Sequence, residues 1–228
     1  MNMIASTTET RLRPLTAIRA VRALQADPED TRQIFVIFRA LRGKSGMRMF
    51  ARFEASAIGQ RILSERRSLL HVLSDSTSLA ELPDGSVGRA YHDFMEAENL
   101  SADGLVSASA GDGDAASPQA QLFRARMRDA HDLTHILTGY GRDALGELCL
   151  LAFMNRHSRN LGQLLIVAMS WRRMPRAARA AVWEAYRHGA KASWFIDLDY
   201  EGILARPLDE VRRDLGIPSP TRYRGAAS

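Results

Sequence analysis

The run Ala144-Leu145-Gly146-Glu147-Leu148-Cys149-Leu150-Leu151-Ala152-Phe153-Met154 is apolar on every side if it is helical. A helix of that kind has no face for water, so other elements must pack around it. One carboxylate, Glu147, interrupts it. A lone buried carboxylate is costly unless it is paired or bound to a metal. The run therefore predicts a central helix with neighbours on all sides, and Glu147 asks for a positive partner.

The rest of the chain reads in the same period. No stretch shows the two-residue alternation of a half-buried strand, and no repeat appears. The 228 residues, 46% hydrophobic and 25% charged, suit one large domain or two small ones with a sizeable core. Pro14 and Leu15 open a first helix, and Asp27-Pro28 ends it and starts a second through Leu41. Met47 to Leu63 reads as one helix, Arg66 to Ser74 as a short one, and Val87 to Glu98 as another. Between them, Thr77 to Gly88 reads as a loop with a tight turn at Pro83-Asp84-Gly85. Gln119 to Thr138 is predicted as one helix stopped by Gly139, and Asp143 as the N-cap of the apolar run. Helices over Asn160 to Arg173, Pro175 to His188, Trp194 to Ala205 and Pro207 to Leu215 follow. The expectation is an all-α fold: a single domain of about nine or ten helices over residues 14–220. Residues 1–13 and 221–228 read as tails, and the Gly/Ala/Ser-rich stretch 103–118 as a flexible loop.

Composition excludes several classes. Cys149 is the only cysteine, so an intrachain disulfide or a cysteine-rich zinc site is impossible; its place in the apolar run suggests a buried thiol in a reducing compartment. No segment has the 18 or so apolar residues of a membrane span. The net charge is +5, and the arginines form no stripe, so nucleic acid is not an expected partner. Only Lys44 and Lys191 are lysines, which reads as codon bias in a GC-rich genome. Arg11, Arg13, Arg19 and Arg22 with Ser6, Thr7 and Thr8 have the flavour of a transit peptide, but Glu9 argues against one. The expected location is the bacterial cytoplasm.

Chemistry concentrates in His131-Asp132-Leu133-Thr134-His135. Two histidines four apart on a helix place both imidazoles on one face, Cβ atoms roughly 5–6 Å apart. Asp132 fits the same arc, either as a ligand or as a group that orients an imidazole. One cation held by this helix and by Glu147 of the next would explain both oddities. Two imidazoles with one or two carboxylates suit zinc, iron or cobalt, with a position left for substrate. The bland alternative is a pair of histidines stabilised by a helix C-terminus. Arg124 and Arg128 continue the same row, and an arginine there would pair with a substrate carboxylate or simply face solvent. His71, His92, His157 and His188 have no partners at ligand spacing, and Trp171, Trp183 and Trp194 read as core. No further carboxylates stand at helical spacing for a second metal, which argues against a two-metal hydrolase.

His131-Asp132-x-x-His135, eleven residues, then Glu147 resembles the His-Asp-x-x-His-x11-Glu motif of the Coq-four family of ubiquinone (coenzyme Q) biosynthesis proteins. Arg128 precedes the motif as in the family, and Thr138-Gly139-Tyr140 and Gly146-Glu147 resemble its flanking elements. So do Leu82-Pro83-Asp84-Gly85 with Gly88-Arg89-Ala90-Tyr91, and Pro207-Leu208 with Leu215-Gly216-Ile217. The resemblance covers roughly Ala26 to Pro220; Tyr200 stands where the family usually has Trp, and the loop before Gln119 is a second departure.

The resemblance implies a divalent metal, zinc first, on His131, Asp132, His135 and Glu147. It implies a homodimer peripheral on the inner membrane, acting with other enzymes of the pathway. Its expected reaction is the oxidative decarboxylation of a polyprenylated benzoate head group at ring C1, with Arg128 and Asp132 as catalytic residues. The alternative function is a non-catalytic scaffold that binds a prenyl lipid and organises the pathway's enzymes.

Overall fold

The structure is a computed structural model and describes residues 11–26, 32–99 and 117–225. The loop expected near 103–118 lies outside them but for its last two residues, as do the first ten residues and the helix start expected at Pro28. Among the described residues there are fourteen helices and no strand. Helix α1 is Pro14–Ala26, α2 Arg32–Ala40, α3 Ser45–Ala55, α4 Ala57–Glu65, α5 Leu69–Leu73, α6 Ser76–Ala80 and α7 Val87–Ala97. Then come α8 Pro118–Asp129, α9 His131–Thr138, α10 Ala144–Ser158, α11 Leu161–Trp171, α12 Arg176–Lys191, α13 Tyr200–Ile203 and α14 Leu208–Asp214. The chain is all-α, as the period predicts.

Helix α10 is the apolar run, and α7, α9, α12 and the C-terminal residues gather in one core around it. Leu133, Leu137, Cys149, Phe153, Val182, Phe195 and Tyr200 are all buried in it. Helices α10 and α12 form the most extensive pair. Gly189 makes that possible: a Cβ there would lie 2.4 Å from the Phe153 carbonyl oxygen. A second cluster, Phe53, Ile62, Phe123 and Ile196, ties α3, α4 and α8 together. A third, Ala20, Ile37 and Ile166, joins α1, α2 and α11.

The number of helices differs from nine or ten because some predicted helices break and some are too short to show a period. The Met47–Leu63 stretch divides at Ser56, whose backbone is extended (ψ 148). Its hydroxyl accepts the Gly59 N–H and donates to the Phe53 carbonyl, so it caps one helix while ending the other. The Gln119–Thr138 stretch is interrupted at Ala130 (φ −78, ψ −2). The stretch expected as a loop from Thr77 to Gly88 opens inside a short helix, Ser76–Ala80, capped by Asp75. Of Trp194–Ala205 only Tyr200–Ile203 is helical. Trp183 is not core: it is 56% exposed and stacks on Tyr186.

Candidate metal centre

Helices α9 and α10 meet at the turn Gly139–Asp143, as the caps predict. Gly139 ends α9 in the left-handed region (φ 74), where glycine carries no Cβ penalty. Asp143 starts α10 by accepting the Leu145 and Gly146 N–H groups at 3.0 and 3.1 Å. This short turn brings the start of α10, with Glu147, beside His135 on α9.

His131, Asp132 and His135 each offer a donor atom, and these atoms lie within 4.8 Å of one another. The imidazole centroids are 4.8 Å apart. His131 Nδ1 lies 3.3 Å from Asp132 Oδ1. Glu147 joins through His135, its Oε1 3.4 Å from Nε2. His135 and Asp132 form a buried floor, while the side chains of His131 and Glu147 are 43% and 39% exposed. The sequence expectation of a buried Glu147 is corrected. In the first turn of α10 it is half out of the core, where the helix N-terminus favours its charge.

The proton positions follow from the partners. His135 Nδ1 is 2.9 Å from the Tyr140 carbonyl oxygen, which only accepts, so Nδ1 carries a hydrogen and donates. In the neutral ring Nε2 is then a lone pair, buried and without a hydrogen bond, facing a carboxylate oxygen. Asp132 Oδ2 is likewise buried and unpartnered. Acceptors gathered in this way repel unless something positive sits among them. A proton on Nε2 is one answer: burial pushes the His135 imidazole down, but Glu147, with the Tyr140 carbonyl and Asp132, outweighs it and holds it above its ordinary value. A cation is the other, and the donor set fits one.

Arg128 is not on the motif helix. It lies in the last turn of α8, and its Nε and Nη2 lie 2.9 and 2.8 Å from Asp129 Oδ1. Sequence reasoning gave no role at the site to three residues that shape this corner. The Tyr140 carbonyl orients His135; Tyr223 hydrogen-bonds to Gly141 N and Asp143; Arg212 donates to the Ile136 and Leu137 carbonyls at 2.7 and 3.1 Å. No local spacing marks them, since each acts through backbone or across most of the domain. Cys149 is buried as expected, and burial pushes its thiol up to about 12, away from the thiolate form that a nucleophile uses.

The family model described as Coenzyme Q (ubiquinone) biosynthesis protein Coq4 matches residues 6–221. The ubiquinone biosynthesis protein coq4 of Talaromyces stipitatus is 32% identical over 177 residues, covering 75% of this chain and 59% of that protein. Its counterpart in Aspergillus flavus is 30% identical over 170 residues, covering 73% and 58%. The chain thus spans about three fifths of the length of the curated relatives it matches. A solved structure from Nostoc punctiforme, assigned by name to ubiquinone biosynthesis, shares the fold. Its TM-score is 0.66 at 17% identity, covering 92% of this chain and 100% of that one. The expected bacterial cytoplasmic location is overturned: these fungal relatives are named mitochondrial. Arginine and alanine usage reports on a genome, and a single cysteine suits any reducing compartment, so neither distinguishes the two.

Proposed function

Since this chain belongs to the Coq4 family of coenzyme Q (ubiquinone) biosynthesis proteins, we propose that His131, Asp132, His135 and Glu147 hold one divalent cation. The corner would act on the head group of a polyprenylated benzoate. The proposed reaction is oxidative decarboxylation at ring C1: the carboxyl group leaves as carbon dioxide and a hydroxyl replaces it. In net terms the aryl acid, water and dioxygen would give the phenol, carbon dioxide and hydrogen peroxide: the substrate loses two electrons, dioxygen accepts them, and water supplies the hydroxyl oxygen.

One observation carries the reading. His135 Nε2 faces Glu147 Oε1 at 3.4 Å while Nδ1 is already committed to a carbonyl. A bound cation supplies Lewis acidity, which stabilises a phenolate or carboxylate beside it. Zinc suits these donors first, with iron or cobalt next. The chain does the rest. The Tyr140 carbonyl fixes the His135 tautomer. The partly exposed side of the corner, at His131 and Glu147, admits the head group. Asp132 accepts a proton wherever its free oxygen is not a ligand. Arg128, next to the motif, pairs with the substrate carboxylate in exchange for Asp129.

The proposed partners are a membrane surface, other enzymes of ubiquinone biosynthesis and a second copy of the chain. Helix α1 supports the first: Leu15 and Ile18 are 70% and 48% exposed, and Arg19 and Arg22 are exposed with them. Apolar and arginine side chains on one face suit an anionic lipid surface.

His135→Ala and Glu147→Ala should each purify without metal, keep the wild-type helical circular dichroism, and lose C1 conversion of a polyprenylated hydroxybenzoate. Full conversion by metal-free protein would end this reading.

A further inference from the structure

The last described residues do not trail away from the domain. Glu184 of α12 accepts hydrogen bonds from the Thr221 N–H, the Thr221 hydroxyl and the Arg222 N–H at 3.0, 2.5 and 2.9 Å. From that anchor the chain crosses the turn between the two motif helices. Pro220 lies over Gly139. The Tyr223 ring packs edge-on against Tyr140, centroids 5.6 Å apart.

The Tyr223 hydroxyl makes two bonds there. It accepts the Gly141 N–H at 3.0 Å and donates to Asp143 Oδ2. The Gly141 N–H and the Tyr140 carbonyl are two ends of one planar peptide unit. The oxygen end of that plane receives the His135 Nδ1–H; the nitrogen end is held by Tyr223. The other oxygen of Asp143 caps α10, the helix that carries Glu147. One hydroxyl therefore joins the group that orients His135 to the cap that places Glu147.

We propose that Tyr223 is a positioning residue for the cation corner, acting through the 140–141 peptide plane and the Asp143 cap, with residues 220–225 as its strap. The inference rests on the cation reading above. Groups that orient a metal-binding imidazole typically change metal affinity by about 10–100-fold when removed. Tyr223→Phe keeps the ring on Tyr140 and removes both hydrogen bonds.

The test uses full-length protein and two readouts. In metal-free protein at alkaline pH, long-range proton–nitrogen spectra should show a single Nδ1–H tautomer for His135. Tyr223→Phe should give a tautomer mixture. In a cobalt(II) titration, Tyr223→Phe should bind about ten-fold more weakly than wild type. Glu184→Gln, which loosens the strap at its anchor, should shift both readouts the same way by less, and stands in if Tyr223→Phe does not fold. Ile166→Ala, a cavity in the third cluster, should lower the melting temperature and move neither readout. A wild-type tautomer and wild-type cobalt affinity in folded Tyr223→Phe would overturn the proposal. If wild-type protein takes up no cobalt, the cation reading fails, and the imidazole spectrum alone decides the strap.

Discussion

Arg126 and His135 are both almost fully buried polar side chains on successive helices, and the protein surrounds them differently. The Arg126 guanidinium reaches Glu201 with two bonds, at 2.8 and 2.6 Å, and the Leu198 carbonyl at 3.2 Å, with the Tyr200 ring 5.5 Å away. Arg67 shares Glu201 at 3.3 Å and holds Asp199, which Arg61 also reaches. Positive and negative charges alternate there, and among the fully buried side-chain atoms described in that corner only the Arg126 Nε lacks a hydrogen-bond partner. At His135 the Nδ1–H meets the Tyr140 carbonyl, and the Nε2 lone pair faces the Glu147 carboxylate beside the His131 ring. The first arrangement is complete in itself; the second is complete only with a proton or a cation. Burial is common to the two groups; the sign of what surrounds each is what differs.

The largest expected effect tests the first corner. Arg126→Ala leaves Glu201 with Arg67 alone, in place of its two-bond buried partner, and should lower stability by about 3–5 kcal/mol in urea unfolding. His135→Ala, measured without metal, should lose only about 1–2 kcal/mol because it removes a group with poor company. Equal losses would break the comparison.

His157 sharpens it. Its Nε2 is also buried and unpartnered, but its neighbours are the rings of Phe153 and Phe195 rather than carboxylates. Burial first, then the charges of Arg52 and Arg156, push this imidazole down to about 4, the reverse of His135. The folded pKa lies below the unfolded one, so between pH 6.5 and about 4 the unfolded chain binds a proton that the native state refuses. Stability should fall as pH drops through that window, by roughly 3 kcal/mol in all. His157→Phe should flatten that limb. A second loss should follow at lower pH: burial raises the Glu201 carboxyl, but Arg126 outweighs it and holds it below its ordinary value.

Zinc or cobalt at about a hundred times its dissociation constant should stabilise wild-type protein by about 2.7 kcal/mol and His135→Ala not at all. A metal response that survives His135→Ala would place the cation elsewhere. The smallest effect belongs to the exposed edge of the Arg126 corner. Arg61→Ala should change stability by less than about 0.5 kcal/mol, because its side chain is 51% exposed and Arg67 still holds Asp199.

The parts legible in the sequence were those with local signatures. The four-residue spacing of His131 and His135, the Gly139 stop and the Asp143 cap each follow from neighbours a turn away, and each appears in the structure. The breaks at Ser56 and Ala130 were not legible, because one residue turns without disturbing the apolar period on either side. Glu147 was misjudged in burial, since a helix apolar all round does not reveal where its first turn surfaces. The Arg126–Glu201 corner and the Tyr223 contacts were invisible for a different reason. They link residues 75 and 82 positions apart, and no periodicity records such a pairing.

That 82-residue span also orders the birth of the corner. His135 and Glu147 are near neighbours in the chain, so their loop closes cheaply and early. Tyr223 is made 82 residues after Gly141, and until it docks the peptide plane behind His135 has one end untethered. A nascent chain would carry the donor atoms well before it could aim them.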